Sequence, residues 1–140
     1  MHFSTLALPL LGLVASISAA PNNKRDTTLS TRAEFHPGWC GVHTAQTVAA
    51  NQKDWLITVE IFDGEQNGMG KAAGEYVEGD GKLVVKSDVP EPLEIIPRSD
   101  AVSFRYNGVE WKSTDERCSM GKWDGPEGMK IRHMDCGFTC

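Results

Sequence analysis

The residues able to do chemistry gather at the end of the chain. Cys118, Cys136 and Cys140 fall there, with His133 and Asp135 between them, while the fourth cysteine, Cys40, stands far upstream in Trp39-Cys40-Gly41-Val42-His43. A structural metal site would need reduced thiolates and a spacing such as Cys-x2-Cys. Here the closest pair is Cys136-x3-Cys140 in a chain with a secretory leader, and disulfides are the better reading. Cys136 with Cys140 is the poorest pairing. It closes almost no loop, and in an extended strand the two Cα atoms lie about 13 Å apart, beyond the limit of about 7 Å for a disulfide. Cys40 is therefore expected to reach Cys136 or Cys140, with Cys118 taking the other, and the spacing leaves both pairings open. A bond closing a loop of about 100 residues would stabilise the fold by roughly 4–5 kcal/mol.

His36, His43 and His133, with Asp124 and Asp135, have the side chains for a metal site or for acid–base chemistry. No spacing fixes such an arrangement, and His133 alternating with Asp135 is also ordinary surface patterning of a strand. There is no Gly-x-Ser-x-Gly elbow and no cysteine left over as a nucleophile. The glycine-rich stretch from Gly64 to Gly74 lacks the Gly-x4-Gly-Lys-Ser/Thr pattern of a phosphate loop. Acidic clusters (Glu75, Glu78 and Asp80; Asp115 and Glu116; Asp124 and Glu127) fit solvated turns and edges better than a glycosidase pair. The expectation is a non-enzymatic protein without cofactor or metal. Among four tryptophans, Trp55 and Trp111 fall on apolar strand faces and belong to the core. Trp39 and Trp123 flank cysteines and turns, where an aromatic ring packs on a disulfide or, for Trp123 between Lys122 and Asp124, anchors a partner. Lys122, Trp123 and Asp124 are the candidate partner-binding residues.

The front of the chain says where this chemistry takes place. An apolar run from Leu6 to Val14, followed by small residues to Ala20, reads as a signal peptide over residues 1–20 and is too short for a membrane span. Residues 21–25 end in Lys24-Arg25, the pattern cut by fungal dibasic processing proteases. Residues 26–38 read as a flexible polar arm. Only Lys24 and Arg25 among the charged residues precede position 26, so the remainder carries 12 basic against 19 acidic side chains, a net charge of −7. Such a surface disfavours nucleic acid and anionic membranes.

Residues 39–140 must then form one domain that positions these groups. Trp55, Ile57, Val59 and Ile61 alternate with Leu56, Thr58, Glu60 and Phe62, the clearest period-two stretch in the chain. Strands are also expected from Trp39 to Val48, Lys71 to Glu78 (with Ala72 and Tyr76 on one face and Val77 on the other), Lys82 to Lys86 and Leu93 to Ile96. Further strands are expected from Asp100 to Asn107, Val109 to Lys112, Arg117 to Trp123 and Met129 to Cys136. Gly79-Asp80-Gly81 and Asn107-Gly108 read as hairpin turns. Thr44 to Asp54 is the one helical candidate, and it lacks a sustained 3.6 period. The fold class is all-β: a single-domain antiparallel sandwich or barrel stapled by two disulfides.

The Trp39-Cys40-x-Val42-His43 start, the Cys118-Ser-Met-Gly-Lys-Trp-Asp turn and the Asp135-Cys136-Gly137-Phe138-Thr139-Cys140 end resemble one group of fungal small secreted cysteine-rich proteins. The resemblance spans residues 39–140 and rests on scaffold positions. It implies a secreted effector or elicitor, acting outside the cell on plant hosts, and carries no functional residue over. The expected partner is an extracellular protein or a cell-wall glycan. The rivals are a carbohydrate-binding module anchored by Trp39 or Trp123, a protease inhibitor presenting Gly121 to Gly128, and a small hydrolase or nuclease using His43, His133 and Asp135.

Overall fold

A computed structural model describes residues 34–140. The expected signal peptide, the expected Lys24-Arg25 processing site and the expected arm as far as residue 33 lie outside the described residues. Nine strands follow in order: β1 (Trp39–Val48), β2 (Trp55–Phe62), β3 (Gly68–Val77), β4 (Leu83–Val85), β5 (Leu93–Ile96), β6 (Ser103–Tyr106), β7 (Val109–Lys112), β8 (Cys118–Met120) and β9 (Ile131–Thr139). They form two antiparallel sheets, one of five strands in the order β3-β2-β1-β9-β8 and one of four in the order β4-β5-β6-β7. The expected all-β fold with two disulfides is the one found. The stretch from Thr44 continues β1 to Val48 and then turns, without a helix.

Period-two alternation decides what each face carries. On β1, Cys40, Val42, Thr44 and Gln46 point inward and are buried; on β2 the same holds for Trp55, Ile57, Val59 and Ile61. The second sheet meets them with Val85, Leu93, Ile95, Phe104, Tyr106 and Trp111. Rings lock the two layers: Phe138 of β9 stacks on Trp111 at 5.4 Å and meets Tyr106 at 4.9 Å between centroids. Each such buried side chain contributes about 1.5–3 kcal/mol by leaving water.

Two local expectations need correction. On β3, Val77 is buried and Tyr76 exposed, on opposite sides as expected, but Ala72 packs against the core and so does not share the face of Tyr76. The register against β2 shifts between Ile57 and Val59, where Gly74 takes φ of 62° and donates its N–H to Thr58 Oγ1 at 2.9 Å. One extra residue in a bulge exchanges the faces of everything beyond it. The Gly79-Asp80-Gly81 turn is also not a hairpin. It carries the chain from β3 in one sheet to β4 in the other. Asn107-Gly108 does form the expected hairpin, with φ of 47° and 79°, joining β6 to β7.

The disulfides are Cys40–Cys140 and Cys118–Cys136, with Cα separations of 5.8 and 4.0 Å. Both staple the five-stranded sheet, tying β1 to the residue that follows β9 and β9 to β8. Residues 35–38 are held as well. The backbone N–H of His36 donates to Asp63 Oδ2 at 3.0 Å, and Gly38 and Cys140 exchange backbone hydrogen bonds. The folded unit thus reaches further toward the N-terminus than Trp39.

Candidate functional site

The outward face of the five-stranded sheet is built by the residues that alternate with the core. Along its central pair, Gly41 faces Gly137 and His43 faces Asp135 across β1 and β9, while β2 places Phe62 beside Gly41 and Glu60 beside His43. Two glycines in register leave a gap in the layer of side chains. The result is a recess of about 310 Å³, lined by Trp39, Gly41, Phe62, His43, Asp135 and Gln66 among others. Trp39 is 57% exposed. Its indole lies over Gly137 so closely that a Cβ there would overlap the ring. Glycine inside a strand commonly marks such close approach.

The rim of the recess is fixed from below. Asp63, itself buried, ends β2 and accepts from the backbone N–H groups of His36, Glu65 and Asn67 and from the Asn67 side chain. Burial alone would raise its carboxyl pKa, but these four donors outweigh it and lower the value to about 2. The same turn holds Gln66 at φ of 68°, with its N–H on the Asp63 carbonyl at 3.0 Å.

Beside the recess, three of the groups singled out in the sequence come together. His43 Nδ1 lies 2.7 Å from Asp135 Oδ1, and His43 Nε2 lies 3.3 Å from His133 Nδ1, the two rings stacked at 5.4 Å. A carboxylate oxygen accepts, so in this contact Nδ1 of His43 is the donor and Nε2 presents a lone pair to His133. Glu60, the partner of His43 on β2, is engaged by Lys71 at 2.6 Å; that hydrogen bond and charge hold its carboxyl below the ordinary range. The other two candidates are elsewhere. His36 approaches Glu65 at 3.7 Å, and Asp124 accepts from the N–H of Gly125 in the turn after β8. No group of three or more His, Cys, Asp or Glu among the described residues is arranged to hold a metal ion.

The Lys122-Trp123-Asp124 turn lies near the opposite end of β9. Lys122 and Asp124 are exposed, but Trp123 is half-buried. Its ring stacks on Trp55 at 6.3 Å, and the Arg132 guanidinium sits 4.4 Å from its centroid. Arg132 is buried and donates to Gln46 Oε1 and to the carbonyls of Arg98 and Asp100, with Gln46 itself donating to Arg98. Burial lowers its pKa. Trp123 thus covers a buried cation and, with Val48, Trp55 and Lys130, lines a second cleft of about 310 Å³.

Sequence reasoning missed Gly41, Gly137, Phe62 and Gln66 as neighbours. The isolated glycines in strands β1 and β9 were a usable signal; the register that pairs them was not readable. No protein-family model, curated protein or solved structure matches this chain.

Proposed function

We propose that this is a secreted, non-enzymatic binding protein that acts outside the cell as an effector or elicitor of plant defence, using the outward face of its five-stranded sheet. The observation that carries this reading is the glycine-floored recess beside an exposed Trp39, on a sheet closed by two disulfides. An exposed indole on a rigid support is the side chain that most often anchors a protein partner, and the disulfides fit an oxidising, extracellular setting. No helix among the described residues is long and apolar enough to cross a membrane. The test is infiltration of the oxidised protein into plant leaves, scoring cell death and defence induction. A response in at least one host is expected; none across several hosts, at a dose where a known elicitor works, would overturn the reading.

A second reading, a glycan ligand, is favoured by the same recess. An indole ring beside the carboxylate of Asp135 and the amide of Gln66 offers a stacking surface and hydrogen-bonding groups for a sugar. Retention on chitin, cellulose or β-glucan that Trp39→Ala abolishes would select it over a protein partner.

A further inference from the structure

The geometry points to a divalent transition-metal site formed by His43 and His133 on the outward face of the five-stranded sheet. The two ligand nitrogens, His43 Nε2 and His133 Nδ1, are 3.3 Å apart. Two imidazole nitrogens each about 2.0–2.1 Å from one tetrahedral ion stand about 3.3–3.4 Å apart. Metal binding replaces the contact between these two nitrogens: the exposed His133 ring carries its proton on Nε2 instead, facing solvent, and Nδ1 offers a lone pair beside that of His43 Nε2.

Three further features make this more than a chance pair. Asp135 accepts from the remaining nitrogen of His43 at 2.7 Å, the carboxylate–histidine arrangement that orients a metal-bound imidazole and raises its basicity. The strands that carry both histidines pair without interruption from Trp39↔Thr139 to Thr47↔Ile131, and Cys40–Cys140 ties β1 to the residue that follows β9. The spacing of the two rings is therefore set by backbone that cannot slip. Finally, the face is open to solvent, so water completes the coordination sphere, as in sites that keep open positions. Since only two side chains converge, those positions are free for a donor group of a ligand seated in the adjoining recess. Imidazole nitrogen selects Zn²⁺, Cu²⁺ or Ni²⁺ over Mg²⁺ or Ca²⁺. The site stands on its own geometry and does not depend on the effector reading.

The test is titration of the oxidised chain with Zn²⁺ while the imidazole nitrogens are followed by NMR. The signals of His43 and His133 should shift together and saturate at one ion per chain, with His36 unmoved and Mg²⁺ without effect. Asp135→Asn should weaken binding about 10- to 100-fold, and His133→Ala by more than that, while both variants unfold at the wild-type temperature without metal. No shift at millimolar Zn²⁺, a shift of one ring only, or the same binding curve in His133→Ala would overturn the proposal. Loss of leaf response with Zn²⁺ binding intact would count against the effector reading alone.

Discussion

The two outward faces of the sandwich are finished in opposite ways. On the four-stranded sheet a ladder of alternating charge runs across the strands: Lys82 to Glu94 at 2.8 Å, Glu94 to Arg105 at 3.7 Å, Arg105 to Glu110 at 2.9 Å. Each charge in this ladder has an opposite charge as its neighbour. On the five-stranded sheet the corresponding layer holds two glycines, two aromatic rings and a histidine pair. Both faces border the same core, so burial does not explain the difference. The charge ladder pairs its groups with one another, whereas the indole of Trp39, packed on Gly137 and 6.0 Å from the Arg117 guanidinium, keeps more than half of its surface exposed.

The largest effect should come from unclamping the open face. Replacing Cys40 and Cys140 by serine removes a cross-link of sequence separation 100 and should cost about 4–5 kcal/mol, read as a lower denaturant midpoint. Losing Cys118–Cys136, with a separation of 18, should cost less, about 3 kcal/mol. Next comes Trp123→Ala, which uncovers Arg132 and removes the stack on Trp55. It should destabilise the domain by about 2 kcal/mol, below the range for a fully buried tryptophan. A stability equal to wild type would mean that Trp123 is free after all.

Acid sharpens the comparison, because only the open face hangs on Asp63. Its folded pKa of about 2 lies below the ordinary value of about 3.9. The stability it contributes is complete above about pH 4 and is lost as pH falls through about 2. The amides of Glu65 and Asn67 should lose hydrogen-exchange protection over that window, and Asp63→Asn should remove the pH dependence. The smallest effect belongs to the closed face. Arg105→Ala breaks two ion pairs of an exposed guanidinium and should leave the denaturant midpoint close to wild type, with no change in binding.

Much of the fold was legible because it rests on local rules. Alternation placed Trp55, Ile57, Val59 and Ile61 in the core, Asn107-Gly108 made its hairpin, and spacing narrowed the disulfides to two pairings. The failures share one cause. Whether Gly79-Asp80-Gly81 joins two strands of one sheet or two sheets, and which side of β3 faces inward past the Gly74 bulge, are set by long-range register. The candidate site failed in the same way. His43, His133 and Asp135 were visible as residue types, but only the pairing of β1 with β9 brings them within bonding distance. The local pattern left Trp123 open between packing on a disulfide and anchoring a partner; the buried Arg132 beneath it, nine residues on, leaves no trace there.

The most direct measurement compares Trp39→Ala, Gly137→Ala and Lys122→Ala with wild type in the leaf assay, after confirming equal folding. Trp39 is exposed, so its loss should change stability by less than about 0.5 kcal/mol. A methyl on Gly137 displaces that ring. Activity lost in both Trp39→Ala and Gly137→Ala but kept in Lys122→Ala is the predicted result. Full activity in the first two, with loss in Lys122→Ala, would move the binding site to the turn after β8 and contradict the account.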